Sequence, residues 1–334
     1  MTVRSLYFTG PSEVAVRERS RPSPGPDELL VESERSAISS GTELLVYRGE
    51  TEPSMAADET LDALSGTFEY PLRYGYAVVG RVVEAGANVA DWADERVFAF
   101  NPHESHFLAD PDEVVRVPSG MSAERAVFLA NTEAAVNFVM DGRPMVGERV
   151  CVFGQGVVGL LTTGLLAEFP LDALVTVEPH DGRRELSAEL GATALDSEGA
   201  AREALADEHV DGADLTYELS GNPRALDAAL DATGYAGRVV VGSWYGTKPV
   251  PLSLDGQFHR SHVRLRASQV SRIDPDHEGR WDKSRRFETV RDALDRLEPE
   301  RFVTHRLPVE HADEAYRLLD DHPEEAVQVL LTYP

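Results

Sequence analysis

The chain has 334 residues, 58 of them acidic against 32 basic, for a formal charge of −26 at pH 7; 42% are hydrophobic. That length suits two domains, each with a buried core, and the apolar share excludes a wholly disordered chain. The acidic excess excludes nonspecific nucleic-acid binding, which needs a basic face for the phosphates, and no apolar run approaches the ~18 residues of a membrane span.

Residues 1–120 read as strands and turns. VAVRE, ELLVESERSAI and YAVVGRVVEAG carry β-branched residues in partial alternation, and RPSPGPDEL is a proline-rich turn. The polar stretch 50–68 reads as a loop with a short helix, and VFAFNPHESHF as a strand that ends in a His-containing loop. SAERAVFLANTEAAVNFVMDG has helical spacing, with Ser122 as N-cap candidate. From 149 to 243 the pattern alternates. RVCVF, LVTVE, TALD, DLTYELS and RVVVGS are predicted strands; VVGLLTTGLLAEF, GRRELSAEL, EGAAREALADE and NPRALDAALDAT are predicted helices. Short apolar strands between amphipathic helices predict a parallel sheet covered on both faces. HVRLRASQV then reads as a last strand, SRRFETVRDALDRL and HADEAYRLLDD as helices, and AVQVLLTY as a terminal strand.

The strongest motif is Gly154-Gln155-Gly156-Val157-Val158-Gly159, directly after RVCVF and opening an apolar helix. In such a turn the first Gly bends the chain, the second admits a pyrophosphate, and the third lets helix and strand pack. The pyrophosphate rests on the helix N-terminus, where free N–H groups favour an anion. LVTVE ends in Glu178, 19 residues beyond Gly159, where a carboxylate meets the adenosine ribose hydroxyls. Strand, turn, helix, strand and acid in that order predict a dinucleotide site. Glu178 repels a 2′-phosphate and favours NAD, whereas His180, Arg183 and Arg184, following Pro179, leave NADP as the alternative. Cys151, the single cysteine, lies inside the first strand and reads as a small buried hydrophobe. One Cys excludes an intrachain disulfide and a multi-thiolate zinc site, and fits a reducing compartment. MTVRSLYFTGPSEV lacks the apolar core of a secretory signal, so a cytoplasmic location is expected.

A strand-rich first domain, a Rossmann segment from about residue 145 and a return to the first domain resemble the medium-chain dehydrogenase/reductase superfamily. The resemblance spans essentially the whole chain. It rests on Ser39-Ser40-Gly41-Thr42-Glu43, on RYGYAVVG at 73–80, DERVF at 94–98, the glycine turn, GADLTYELSG at 212–221 and RVVVGS at 238–243. SGTELLVYRG, RYGYAVVG and FHRSHVRLRASQVS are similar to the subgroup related to bacteriochlorophyllide dehydrogenases. The resemblance implies a doubly wound Rossmann sheet plus a GroES-like β domain: residues 1–140 completed by 272–334, enclosing 141–271, with the cofactor in a cleft between domains. It places Ser220, Gly242 and Ser243 beside the cofactor. It also implies a homodimer or homotetramer.

Zinc-dependent members carry Cys and His ligands in the first two blocks. Here Ser40 stands at the Cys position, Tyr76 at the His position, Ala77 at the Glu that follows, and Ala130 near the third ligand. Zinc is therefore not expected. Thr42 matches the family's proton-relaying hydroxyl. Tyr76 offers a phenol where a metal would polarise the carbonyl, with Ser40 assisting; a packed aromatic is the alternative.

His103 and His106, with Glu43 or Glu104, read as a substrate-side acid/base or a new metal site, or as a pair bracing a loop. Eleven of the 32 basic residues fall between 259 and 301. Arg280 and Arg286 are candidates for an anionic small-molecule substrate; helix-surface partners for acids are the alternative. Lysine occurs only at 248 and 283 in this acidic chain, a composition suited to high salt, where ions screen self-repulsion. The expected activity is NAD(P)-dependent interconversion of a secondary alcohol and a ketone without zinc. A zinc-independent quinone or enoyl reductase and a redox-silent NAD(P)-binding sensor are the alternatives.

Overall fold

A computed structural model describes residues 2–206 and 211–333. The chain divides into two compact units: one runs to Ala130 and resumes at Glu298, and the other is Asn131–Leu297. The first opens with β1 (Thr2–Gly10) and β2 (Glu13–Ser20), an antiparallel hairpin, followed by β3 (Leu29–Ala37). α1 (Glu43–Arg48) comes next, then β4 (Val78–Ala85), β5 (Arg96–Ala99), β6 (His106–Ala109), β7 (Val114–Arg116) and α2 (Ala123–Ala126). Ser122 caps α2 as predicted, its hydroxyl accepting the Arg125 N–H.

The second unit holds most of α3 (Leu129–Gly142), then β8 (Arg149–Phe153), α4 (Val157–Leu166), β9 (Ala173–Val177), α5 (Asp181–Glu189) and β10 (Thr193–Leu195). It continues through α6 (Ala201–Ala204), β11 (Ala213–Glu218), α7 (Pro223–Ala232), β12 (Thr233–Val241), α8 (Gly256–Arg260), β13 (Arg264–Ala267) and α9 (Lys283–Leu297). The end of the predicted helix EGAAREALADE, residues 207 and 208, lies outside the described residues. β14 (Val303–Pro308), α10 (Ala312–Asp321) and β15 (Gln328–Thr332) return to the first unit.

The second unit is a six-stranded parallel sheet in the order β10-β9-β8-β11-β12-β13. This is the doubly wound order, with its switch point between β8 and β11. Its inner strands β8, β9 and β11 are largely apolar and buried, as a sheet covered on both faces requires. α7 illustrates the local logic. Asn222 accepts the Arg224 N–H as cap, Pro223 supplies the fixed φ of a first helical turn, and Ala225, Leu226, Ala229 and Leu230 fall on one buried face. They join Cys151, Phe153, Val175 and Val239 in one core, each buried Leu contributing roughly 1.5–3 kcal/mol.

The first unit's main sheet runs β14-β15-β3-β4-β5-β7, with β6 also paired to β3. Two cores flank it. Leu29, Val31, Val78, Val97 and Phe107 form one; Leu6, Phe8, Tyr316, Val329 and Leu331 join the other.

Three features differ from the sequence expectation. His106 opens strand β6 rather than ending a loop, because FLA pairs antiparallel with β3. α1 is absent from the predicted elements, since six residues closed by Gly49 at φ +72° show no helical period. The second unit also begins ten residues earlier and ends 26 later than 141–271. The cause is physical: α9 buries Val290, Ala293 and Leu294, and its Arg286 bonds Glu133 and Asn137 of α3. Among the described residues, no helix is long and apolar enough to cross a membrane.

Candidate functional site

In the second unit the glycine turn follows β8 at the switch point. Gly154 has φ +89°, and a Cβ there would lie 2.6 Å from the Ser220 Cα, so the turns after β8 and β11 touch backbone to backbone. A Cβ on Gly159 would sit 2.0 Å from the Gly154 carbonyl oxygen, which seals helix against strand. Beside Gly156 there is open space: no atom lies within 4 Å of where its Cβ would be. The two sealed positions flank the open one, and Gly156 caps α4 with no side chain over the first-turn amides of Val157 and Val158. A ligand phosphate fits that opening.

Glu178 follows β9 and is buried at 3% exposure. One carboxylate oxygen accepts the Gln155 N–H at 2.8 Å and the other the His180 N–H at 3.1 Å. A carboxylate has about four acceptor positions, so two remain for hydroxyl donors. Gln155 itself turns inward. Its Nε2 donates to the Gly154 carbonyl and its Oε1 accepts from Thr163, so it braces the turn from beneath. Arg184 donates to the Glu178 and Pro179 carbonyls and pairs with Asp181. Pro179 and His180 lead into α5, which carries Arg183 in its first turn.

Ser220, Gly242 and Ser243 meet at the ends of β11 and β12. The Gly221 N–H donates to Ser243 Oγ at 2.9 Å, and the Gly242 N–H to the Glu218 carbonyl at 3.0 Å. Three neighbours escape sequence reasoning. Glu218, fully buried, accepts from the Ser220 N–H at 2.7 Å, the Ser220 hydroxyl and the Tyr245 hydroxyl. Burial, then the Glu218 charge, pushes the Tyr245 phenol up. Lys248 donates to the Gly221 carbonyl at 2.8 Å. The sole signal in the sequence is positional: Glu218 precedes the Ser-Gly turn by two residues.

In the first unit the Tyr76 hydroxyl donates to Ser39 Oγ and lies 3.4 Å from Thr42 Oγ1. Burial pushes the phenol up, and the Ser39 and Thr42 hydroxyls only partly offset it. The serine that meets Tyr76 is thus Ser39, not the expected Ser40. Past the end of β3 the chain enters a turn at Ser40–Thr42 in which the Glu43 N–H donates to the Ser39 carbonyl, and the motif does not reveal which of two adjacent serines that turn presents to Tyr76. As a zinc ligand set these positions fit poorly. Ala77 and Ala130 have no donor atom, and burial favours the protonated Tyr76 phenol over the phenolate a metal would take. The one His/carboxylate cluster with metal-binding spacing among the described residues is His322, Glu324 and Glu325, exposed and elsewhere in the fold.

His103 and Glu43 are both fully buried, contrary to a substrate-facing role. His103 Nε2 lies 2.9 Å from Glu43 Oε2, and its Nδ1 2.7 Å from Ser36 Oγ. The proposed metal constellation does not assemble. His106 pairs with Ser105 and Glu32, and Glu104 accepts from Ser5, Arg19 and Arg73. Burial lowers the His106 pKa; the Arg21 charge adds to this and Glu32 opposes it.

Arg286 is likewise no anion receptor. It is fully buried, and its guanidinium is spent on Glu133 Oε1, Asn137 Oδ1 and the Val270 carbonyl. A helix-interior arginine facing α3 meets an acid there, which local sequence does not reveal. Arg280 is exposed, and its carbonyl accepts from Arg285.

Residues 128–329 match the family described as glucose dehydrogenase C-terminus. The chain is 26% identical over 253 residues to L-threonine 3-dehydrogenase of Xanthomonas campestris pv. campestris (strain B100), covering 66% of this chain and 71% of that one. It is 24% identical over 351 residues to D-guloside 3-dehydrogenase of Escherichia coli (strain K12), covering 99% and 100%. Its fold is similar to that of an alcohol dehydrogenase of Escherichia coli CFT073 complexed with cofactor NADH, with a TM-score of 0.77 at 19% identity over 99% of each chain. The chain therefore belongs to the glucose dehydrogenase C-terminus family, and it is an oxidoreductase of the medium-chain, zinc-type alcohol dehydrogenase-like superfamily.

Proposed function

We propose that the protein interconverts a secondary alcohol and a ketone with NAD, and that Tyr76 rather than zinc handles the substrate oxygen. The observation that carries this is the convergence of the Ser39 and Thr42 hydroxyls on the Tyr76 phenol, which stands where zinc-dependent members hold a His ligand. The raised Tyr76 pKa keeps the phenol protonated through the physiological range. It therefore acts as donor to a ketone oxygen and to the alkoxide that develops from it. Thr42 and Ser39 stand within reach to replace or remove that proton.

The nicotinamide, when bound, supplies or accepts the hydride. The amides at Gly156 and the first turn of α4 would hold the dinucleotide's pyrophosphate, and Glu178 would offer its remaining acceptor positions to the adenosine ribose. The Glu178 charge, with Arg184 already engaged by carbonyls and Asp181, favours NAD over NADP. Threonine and guloside, named for the relatives, both carry a secondary hydroxyl beside further polar groups, which supports a polar alcohol as substrate.

The test is Tyr76→Phe, assayed with NADH against ketones and with NAD against diols and sugar alcohols. Turnover should fall roughly 10²–10³-fold, as for loss of one oxyanion donor, with NADH affinity unchanged. Wild-type-like turnover by the variant refutes the role of Tyr76. Preference for enones over ketones favours the conjugated-reductase alternative, and loss of activity on chelation, restored by zinc, refutes the metal-free reading.

A further inference from the structure

We propose that His103 and Glu43 are positioning residues that together hold Ser39 and Tyr76 in register. The proposal rests on the role assigned above to Tyr76.

Ser39 and Tyr76 lie on irregular segments far apart in sequence, one after β3 and one before β4. Nothing in regular secondary structure fixes their hydroxyls against each other. The buried pair does so from both sides. Glu43 Oε1 accepts the Ser39 N–H at 2.8 Å, while the Glu43 N–H donates to the Ser39 carbonyl at 2.8 Å. Ser39 is thus gripped at both backbone polar groups by one residue.

His103 does the same for the other segment, by contact. Gly75, immediately before Tyr76, has φ +115°, and a Cβ there would lie 2.6 Å from the His103 ring atoms Cδ2 and Nε2. The imidazole edge therefore packs directly on the backbone that delivers Tyr76. The His103 N–H also donates to the Tyr74 carbonyl, at 3.4 Å.

The two grips are joined, since His103 Nε2 meets Glu43 Oε2 at 2.9 Å. Outer hydroxyls lock the pair. Ser36 sits on His103 Nδ1 at 2.7 Å, Tyr333 lies 2.8 Å from Ser36, and Tyr316 donates to Glu43 Oε2. Both ring nitrogens are engaged, so rotating the ring would break a buried hydrogen bond. A buried ionisable pair is a poor device for stability alone, since apolar residues of like volume often serve as well or better. Here each member also reaches a different loop of the candidate site.

The experiment is a double-mutant cycle in the full chain, with His103→Phe and Glu43→Gln each made in the wild-type and Tyr76→Phe backgrounds. Turnover is measured with NAD and whichever secondary alcohol the wild type oxidises fastest. NADH affinity is followed by fluorescence, and crystal structures give the Tyr76 Oη to Ser39 Oγ distance. Either change should lower kcat on the order of 10²-fold, as expected for about 1 Å of misplacement, with NADH affinity retained. The same change should be nearly silent once Tyr76 is Phe. Glu43→Gln keeps an oxygen for Ser39 and covers the case in which His103→Phe does not fold. Equal losses in both backgrounds, or an unchanged Tyr76–Ser39 distance, overturn the positioning role while leaving Tyr76 in place. Wild-type turnover by Tyr76→Phe alone overturns the functional reading instead, and this proposal with it.

Discussion

Replacing Arg286 with Met tests how the second unit is held together. The guanidinium is fully buried and donates from Nε and Nη2 to Glu133, from Nη1 to Asn137, and from Nη2 to the Val270 carbonyl. Met fills similar volume but leaves a buried carboxylate and two carbonyl acceptors without this donor. Breaking one side of a buried pair costs about 3–5 kcal/mol, a large share of a total stability of roughly 5–15 kcal/mol. Burial already pushes the Glu133 carboxyl up despite Arg286. Without Arg286 it rises further, so the folded variant binds a proton that the unfolded chain does not. The variant should therefore regain stability as pH falls through that raised value, a sign opposite to ordinary acid denaturation. Arg286→Met with Glu133→Leu should recover most of the loss, short of the Asn137 and Val270 acceptors. Equilibrium urea unfolding across a pH series and at two salt concentrations measures all of this, and a buried pair should show the same loss at both salts. A single-variant loss under about 1 kcal/mol, or a double variant no better than the single, refutes the assignment of Arg286 as a structural ion-pair partner.

Gly156→Val should fold with wild-type melting behaviour yet, if the proposed phosphate site is right, bind NADH at least roughly tenfold more weakly, because its Cβ enters the open space beside the α4 N-terminus, whereas Gly159→Ala should lower the melting temperature by colliding with Gly154. Arg306→Gln should flatten the acid limb of the stability curve. Arg306 hydrogen bonds hold the Glu124 carboxyl below its ordinary value, so their contribution is present above about pH 4.5 and lost as pH falls below it; for this half-exposed pair the effect stays under about 1 kcal/mol. The net charge of −26 predicts a melting temperature that climbs with added KCl as repulsion is screened; a flat profile would refute the high-salt adaptation. β13 ends its sheet with Leu265 exposed, and we propose that a second copy pairs there; sedimentation should then show a dimer or tetramer that Leu265→Pro dissociates.

The order of the Rossmann strands, the glycine turn and Glu178 were legible in the sequence because their causes are local. Strand hydrophobicity, a turn needing bare backbone and a helix cap act within about thirty residues. Ser122 as a cap belongs to the same class. What the linear pattern could not settle depended on partners far along the chain. Arg286 looks like a receptor for an anion until α9 packs on α3 and Glu133 takes it. His103 and His106 look like a pair, yet one lies beneath Gly75 beside Glu43 and the other begins a strand. Ser39 rather than Ser40 meets Tyr76, a contact between segments 37 residues apart.

From sequence alone came the alternation of strands and helices that makes a doubly wound sheet, the glycine turn after the first of those strands, and the residue types at 40, 76, 77 and 130, none of them Cys, His or an acid. Only the tertiary structure decided which polar side chains are working surface and which are buried support. That distinction depends on burial and on contacts across 60 to 273 residues of chain, such as Glu43 with His103 and with Tyr316, and hydrophobic periodicity carries no record of them.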